Sequence, residues 1–202
     1  MKKKNIVLLS VIVIIVLMIL FGAYGVWRFN KNFQSLRIPE DTFTAMTQSE
    51  YASFANHAEY YLEDDKLLFL TDNDYKKFVK ILQLKAYYMS GQDEKFYQTY
   101  NKYKTQLTLS DKLTVLNVFI KDTTLTEPDQ KFVESACNAM LKEMSSQDKN
   151  KLFIYSTLFK YYTKINNTSE AESIKNQAIT FVNATGSGTD DDKKKVIDSL
   201  FK

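Results

Sequence analysis

The sequence predicts an all-α protein in which a single transmembrane helix is followed by a domain of helical hairpins. Three observations support this fold class. Residues 6–27 form a run of 22 amino acids without a charge. After residue 47, apolar residues recur at the 3.6-residue period of an α-helix, in segments that begin at capping residues. Glycine (5) and proline (2) are scarce, although many-stranded folds need both in their turns.

The apolar run is the first element. At ~1.5 Å per residue a helix over 6–27 is roughly 33 Å long, enough to cross a hydrocarbon core of about 30 Å. Trp27 lies at its end, where interfacial aromatic residues occur. A secretory signal is the alternative, because Ala23 and Gly25 are small enough for cleavage after Gly25. We expect an uncleaved anchor, since the run exceeds the usual ~7–15 residues of a signal peptide.

The tail over residues 1–5 determines the expected orientation. It carries three lysines at positions 2–4, while Arg28, Lys31 and Arg37 follow the apolar run, so the nearby basic residues are equal in number on the two sides. A very short and wholly basic tail is retained on the cytoplasmic side more often than it is exported. We therefore expect a single-pass protein of the cell membrane with a cytoplasmic N-terminus and an extracytoplasmic C-terminal domain.

Charge and cysteine content limit the classes of function. The chain has 27 Lys and Arg against 24 Asp and Glu, and three of the lysines precede the apolar run, so 24 basic and 24 acidic residues remain. A domain with no net charge does not predict a nucleic-acid partner. Cys137 is the single cysteine, which excludes an internal disulfide. The many Tyr, Phe, Lys, Asn and Asp residues are typical of low-GC Gram-positive bacteria.

The next elements are a linker and the first helix of the domain. Residues 28–46 show no regular period, and Pro39 interrupts them, so we expect an irregular linker. The domain is predicted over 47–202. Thr47 and Glu50 have the spacing of a capping box, in which a hydroxyl and a carboxylate each accept a hydrogen bond from the other residue's backbone N–H. The first helix is expected to run from there to about Glu63.

Seven further helices are predicted in order, each from a cap or a break and an apolar stripe. Expected start sites are residues 71–74, about Asp93, Ser110, Thr126, Ser146, Thr168 and the stretch after the Gly186–Gly188 break. Gly91 ends the helix that is expected to start at residues 71–74, since glycine tolerates the left-handed conformation past a helix C-terminus. The last helix is short, with acids in its first turn and an apolar face that caps the domain.

Two segments 75 residues apart repeat one design. In the first, Tyr87 is followed by Gly91, Phe96 and Tyr103. In the second, the matching positions hold Tyr162, Asn166, Ala171 and Ala178. A third helix pair lies between them, so three helical hairpins of roughly 35–40 residues follow one another, which is the period of an α-solenoid.

These positions resemble the tetratricopeptide-repeat family. That family has an aromatic residue late in its first helix, Gly or Asn at the turn, and a small residue early in its second helix. The resemblance covers about residues 75–183 and implies a TPR-like α-solenoid. Phe96 and Tyr103 depart from it, because they are bulky where the family prefers alanine. An unrelated antiparallel helical bundle is the alternative.

Residue types with catalytic or metal-binding chemistry are few. His57 is the only histidine, and without a second His, a Cys or clustered acids it does not predict a zinc site. A nucleophilic Cys137 would need a base, and only His57 could serve. Phosphate-binding and dinucleotide-binding glycine motifs are absent from the sequence. We therefore expect no enzyme, no cofactor and no bound metal.

Three tyrosines outside the apolar stripes are the candidate binding residues. Tyr88, Tyr97 and Tyr161 could line the concave groove that stacked helical hairpins form, which in the resembling family holds peptides or partner helices. The sequence therefore suggests a membrane-anchored scaffold or adaptor at the cell envelope, such as a subunit of a secretion or envelope assembly, with an unknown protein partner. The alternatives are a binder of cell-wall glycan or lipid in the aromatic groove and, more remotely, a hydrolase with an unrecognised site.

Overall fold

The computed structural model describes residues 2–68, 73–122 and 125–201, and for residues 2–12 and 64–68 the backbone alone. All regular structure within these residues is helical, as predicted. Ten helices occur there: α1 (Lys2–Leu36), α2 (Glu40–Thr44), α3 (Gln48–Leu68), α4 (Asn73–Met89), α5 (Asp93–Tyr103), α6 (Leu109–Lys121), α7 (Glu127–Glu143), α8 (Lys151–Lys164), α9 (Thr168–Thr185) and α10 (Asp190–Leu200).

The expected linker is largely helical, which corrects the prediction for residues 28–46. Residues 28–36 continue α1 and residues 40–44 form α2. Phe29, Phe33 and Leu36 recur at helical spacing, and Leu36 is 2% exposed. The polar residues between them obscure this short stripe in the sequence. The chain leaves the helical conformation just before Pro39, because the residue before a proline disfavours it.

The chain divides into two compact units where the sequence suggested a single domain over 47–202. Unit 1 is Met1–Thr105 and unit 2 is Gln106–Lys202. In unit 1, α3 packs against both α1 and α4, and α4 packs against α5. In unit 2, α8 is the central helix and contacts α6, α7, α9 and α10.

Capping boxes begin several helices. The box predicted at Thr47 is confirmed, since the Thr47 backbone N–H donates to Glu50 Oε2 at 2.7 Å. Thr126 begins α7 as predicted, with Asp129 as its partner. The expected cap at Ser110 is wrong, because Thr108 caps α6 with Asp111, a box that the sequence also contains. Side-chain oxygens in these boxes satisfy backbone N–H groups that have no partner within the helix.

Two further boundaries differ from the prediction. The helix expected from Ser146 begins at Lys151, after turns stabilised by bonds such as Asp148 N–H to the Ser145 carbonyl at 3.2 Å. The cap of α9 is Asn167 in place of Thr168, since the Asn167 side chain accepts a hydrogen bond from the Glu170 N–H. Helix ends depend on such local competition among polar residues, so they are the least predictable part of a helix.

The terminal helix covers the edge of unit 2, as expected. Thr189 and Asp192 form its capping box. Ile197 of α10 joins Ala178 and Val182 of α9 in one buried apolar cluster. The Ser156 hydroxyl of α8 donates to the Leu200 carbonyl at 2.9 Å, which satisfies a carbonyl at the C-terminal end of α10.

Candidate functional site

The three tyrosines proposed from the sequence do not form an open groove. Tyr161 is fully buried and Tyr88 is 8% exposed, while Tyr97 is half-buried. Tyr88 and Tyr97 belong to unit 1 and Tyr161 to unit 2. Surface exposure is therefore wrong for Tyr88 and Tyr161, since both side chains are buried.

The contacts of Tyr88 and Tyr161 are those of core residues. The ring of Tyr88 lies 5.9 Å from that of Phe96, whose ring is 5.4 Å from that of Tyr97. The Tyr161 hydroxyl donates to Glu134 Oε1 at 3.5 Å. Burial, followed by the negative charge of Glu134, raises the pKa of Tyr161 above its ordinary value. Buried tyrosines of this kind stabilise a core through ring area and one satisfied hydroxyl.

The residues with catalytic potential have structural surroundings. Cys137 is fully buried in α7, and burial raises the pKa of its thiol to about 12. The thiol is consequently protonated at neutral pH, and this form is a poor nucleophile. Across the residues that the structure describes, no group of three His, Cys, Asp or Glu side chains is positioned to hold a metal ion.

The junction of α1 with α3 is the best-defined candidate site. From Val13 to Leu36, α1 is long and apolar enough to cross a membrane, judged by length and composition. Its large apolar side chains are exposed from Val13 to Trp27, for example Phe21 at 74% and Trp27 at 59%. A few residues later the same helix is packed, since Asn32 is 4% exposed. One continuous helix thus joins an apolar exposed segment to the core of unit 1.

Aromatic rings make the packed part of this junction. Phe29 of α1 stacks on Tyr61 of α3, with ring centroids 5.3 Å apart. Phe33 lies 6.1 Å from Tyr61 and 5.4 Å from Tyr75 of α4. Tyr61 is fully buried. Burying several aromatic side chains contributes strongly to packing, so these rings hold α1 firmly against two helices of the unit.

One buried polar contact fixes how α1 sits on α3. His57 Nδ1 and Asn32 Oδ1 are 2.9 Å apart. Burial, with a smaller contribution from the positive charge of Lys31, lowers the pKa of His57. The neutral imidazole is therefore favoured, and it can donate Nδ1–H to the amide oxygen. His57 has a structural position, in agreement with its solitary occurrence in the sequence.

Unit 2 carries an open cleft that the sequence did not single out. Its volume is about 1050 Å³. The polar side of α9 supplies most of the walls, and Tyr155 of α8 contributes a ring that lies 6.3 Å from that of Phe181. The lining consists of Tyr155, Thr168, Ser169, Glu172, Ser173, Asn176, Gln177, Thr180, Phe181 and Ala184. The polar stripe on α9 was the available sequence signal.

Comparison with known proteins identified no relative of this chain. No protein-family model, curated protein or solved structure matches the chain. The functional argument therefore rests on the geometry of α1 and of the two helical units.

Proposed function

We propose that this protein is a membrane-anchored, non-enzymatic scaffold or adaptor. In this proposal α1 crosses the cell membrane of a Gram-positive bacterium, the tail over residues 1–5 is cytoplasmic, and both helical units bind partner proteins on the outer side of the envelope. The supporting observation is the continuity of α1, whose exposed apolar segment leads directly into the segment packed on α3.

The apolar side chains that α1 exposes between Val13 and Trp27 need an apolar environment. Soluble monomers rarely expose a contiguous apolar patch larger than a few hundred Å². Fifteen consecutive residues of α1, from Val13 to Trp27, include 12 large apolar side chains that are each about half exposed or more. A lipid bilayer provides that environment, and a helix satisfies its own backbone hydrogen bonds there.

The packed junction supports a scaffold in which unit 1 is held in a defined orientation relative to α1. A flexible linker would let the domain rotate freely relative to the bilayer. Here no irregular segment separates the apolar part of α1 from Phe29 and Asn32, which contact α3. Unit 1 is consequently fixed to the membrane-crossing helix without a flexible joint.

The TPR-like arrangement is part of the proposal. It is supported by the two hairpins α4–α5 and α8–α9, which share one type of turn. The cleft on α9 is the surface that we assign to the partner protein. Since Tyr88 and Tyr161 are core residues, the aromatic groove for glycan or lipid loses the observation that favoured it.

Membrane attachment is tested with the full chain carrying a tag after Lys202. After washing with alkaline carbonate, we expect the chain in the membrane pellet at its full mass. The matched control carries Leu17→Arg and Leu20→Arg, and each charge at mid-span costs about 2.5–3.5 kcal/mol of insertion free energy. Recovery of the unchanged chain in the soluble fraction, or cleaved after Gly25, contradicts the anchor.

The adaptor function is tested by photo-crosslinking in living cells. A photoreactive amino acid at Gln177, in the α9 cleft, should give one discrete protein adduct. The matched control places the same residue at the exposed Lys149, outside the cleft. Equal adduct patterns at both sites, or no adduct from Gln177 together with measurable glycan binding by the purified chain, would refute the protein-binding role of this cleft.

A further inference from the structure

The direction of α3 relative to α1 has consequences for the membrane. Arg28 lies over the ring of Tyr60 at 4.6 Å, Phe29 stacks on Tyr61, and Asn32 meets His57. From the contacts of Arg28 and Phe29 to that of Asn32, the numbers rise by about one turn on α1 and fall by about one turn on α3, so the two helices run antiparallel. The C-terminal end of α3 therefore points towards the part of α1 that is apolar and exposed.

The length of α3 shows how far it extends in that direction. Tyr61 is level with Phe29, and α3 continues for seven more residues to Leu68. At ~1.5 Å per residue this extension measures about 10 Å. Seven residues before Phe29 on α1 is Gly22. Continuing the register of Tyr61 with Phe29 and Phe33 places the backbone of Leu68 between the heights of residues 22 and 26, inside the apolar run over 6–27.

Residue types suited to a membrane surface surround this end of the unit. The rings of Tyr24 and Trp27 are 5.9 Å apart, and Lys31 Nζ lies 5.4 Å from the Trp27 ring centroid. Tyr60, beneath the Arg28 guanidinium, is 48% exposed. Tyrosine and tryptophan concentrate at the level of lipid headgroups, where an apolar ring and a polar tip are both accommodated.

We propose that the C-terminal end of α3 is embedded in the headgroup region of the same bilayer that α1 crosses, so that unit 1 has a second contact with lipid. The inference rests on the proposed membrane anchoring of α1 and adds a surface to it. The occupant of this surface is the lipid of the leaflet on the domain side. Two points of attachment restrict the tilt of α1 and unit 1 in the bilayer more than the anchor alone does.

The exposed carboxylate of Glu63 sets the depth of this contact. Carboxylates are costly in hydrocarbon, so this position stays among the headgroups. By the same register Glu63 is at the height of about residue 27 of α1. The hydrocarbon boundary therefore lies near Tyr24, and a ~30 Å core then extends back to about residue 5, beside the basic tail.

The test is a depth measurement on the full chain in phosphatidylcholine vesicles. Single nitroxide labels are attached to cysteines introduced by Asn56→Cys, Glu63→Cys and Leu68→Cys, with Leu17→Cys as the reference inside the span. The native Cys137 is fully buried, so it does not take up the label. Asn56 and Glu63 are both exposed in the protein. A difference between these two labels thus reports on lipid and not on protein packing.

We expect collision of the labels with a water-soluble nickel complex to fall in the order 56, 63, 68. The label at 68 should collide about tenfold less than the label at 56, because a hydrated complex is excluded from the hydrocarbon boundary. Equal collision at 56, 63 and 68, with the label at 17 still shielded, overturns this inference and leaves the anchor intact. A label at 17 that collides as freely as the label at 56 overturns the anchor and the inference together.

Discussion

The hairpins α4–α5 and α8–α9 turn in the same way and pack in different ways. In the first, the Gln92 N–H donates to the Tyr87 carbonyl and the Gly91 N–H to the Tyr88 carbonyl, both at 2.9 Å. In the second, Asn167 donates to the Tyr162 carbonyl at 2.9 Å, and Asn166 donates to Thr163. Both patterns are Schellman motifs, with a left-handed residue at the turn.

The second helix of each hairpin shows the difference. α5 buries the large rings of Phe96, Tyr100 and Tyr103. The positions on α9 that match Phe96 and Tyr103 are Ala171 and Ala178, which are also buried. α9 makes the more extensive contact with its partner helix. A turn specified by local hydrogen bonds therefore tolerates two very different interfaces, one filled by aromatic rings and one by close approach of backbones.

The aromatic interface also carries a buried chain of hydrogen bonds. Tyr103 donates its hydroxyl to Gln83 Oε1 at 3.1 Å. Gln83 Nε2 donates to the Tyr87 hydroxyl at 3.3 Å, and that hydroxyl donates to Glu59 Oε2 at 3.0 Å. The matching region of α9 is apolar, since Ala178 and Val182 form a cluster with Ile197 of α10. Large tyrosines thus fill volume but require polar partners, which small residues do not.

The largest expected effect comes from emptying the aromatic interface. Phe96→Ala gives α5 the residue that α9 has at the matching position. Because the helices of the first hairpin are spaced for a ring, we expect a cavity and a loss of about 3–5 kcal/mol. Hydrogen-exchange mass spectrometry of the full chain in detergent measures the opening free energy of the α4–α5 peptides. A loss below about 1 kcal/mol would show that the hairpin closes around alanine.

The reverse change should overfill the second hairpin. Ala178 is fully buried, and Ala178→Leu is expected to cost about 1–3 kcal/mol in the opening of α8–α9 peptides, because added methylenes have no space. Ala184, on the last turn of the same helix and exposed, is the matched control. Ala184→Leu should change the stability by at most roughly 0.5 kcal/mol. Equal losses for the two variants would mean that Ala178 is not at a close contact.

Removing one hydroxyl tests the hydrogen-bond chain. Tyr103→Phe leaves Gln83 Oε1 without this donor, and we expect a loss of about 1–2 kcal/mol in the α4–α5 peptides at neutral pH. Tyr60→Phe in the same unit is the control, since the Tyr60 side chain is 48% exposed. Comparable effects from both substitutions would contradict a special contribution of the Tyr103 hydroxyl.

The same tyrosine predicts alkaline sensitivity. Burial raises the pKa of Tyr103 from 10.0 to about 12, with smaller contributions from Glu59 and Glu63. The folded unit keeps this proton at a pH where the unfolded chain releases it. The contribution of Tyr103 to the free energy of unfolding is therefore fully present below pH 10 and is lost as the pH rises to about 12. We expect Tyr103→Phe to reduce the slope of stability against pH in that window. An unchanged slope would exclude Tyr103 as its source.

The smallest effects are expected at the two turns. Gly91 has φ of 71° and Asn166 has φ of 57°, so both occupy the left-handed region. Asn166→Gly should alter the stability by no more than ~0.5 kcal/mol, since glycine adopts this conformation freely. Gly91→Asn should cost about 1 kcal/mol, because a Cβ there would lie 3.0 Å from Gln48 Nε2. Equal changes in the free energy of unfolding for Asn166→Gly and Gly91→Asn would contradict the expected difference between the two turns.

Much of the helical architecture was predictable because its determinants are local. The cap at Thr47, the left-handed turn at Gly91 and the long apolar run each depend on residues within a few positions of one another. The repeat of the turn 75 residues later was visible from Tyr162 and Asn166. Local hydrogen bonds and hydrophobic period carry these signals, and the structure agrees with them.

The candidate site was less predictable, because exposure depends on partners that are distant in sequence. Tyr161 lay outside the apolar stripe and suggested a groove, yet Glu134, 27 residues earlier, supplies a partner for its hydroxyl in the core. The polar stripe of α9 was present in the sequence, but nothing local distinguishes the wall of a cleft from an ordinary solvated helix face.

The sequence by itself determined that the chain is helical, where several of the helices begin, and that one segment is apolar enough to cross a membrane. Only the tertiary structure decided that residues 28–36 prolong this segment as a packed helix. Phe29 and Asn32 acquire that role from Tyr61 and His57, which lie 25 or more residues away. Helix formation follows from neighbours along the chain, whereas burial follows from surfaces that meet only after the chain has folded.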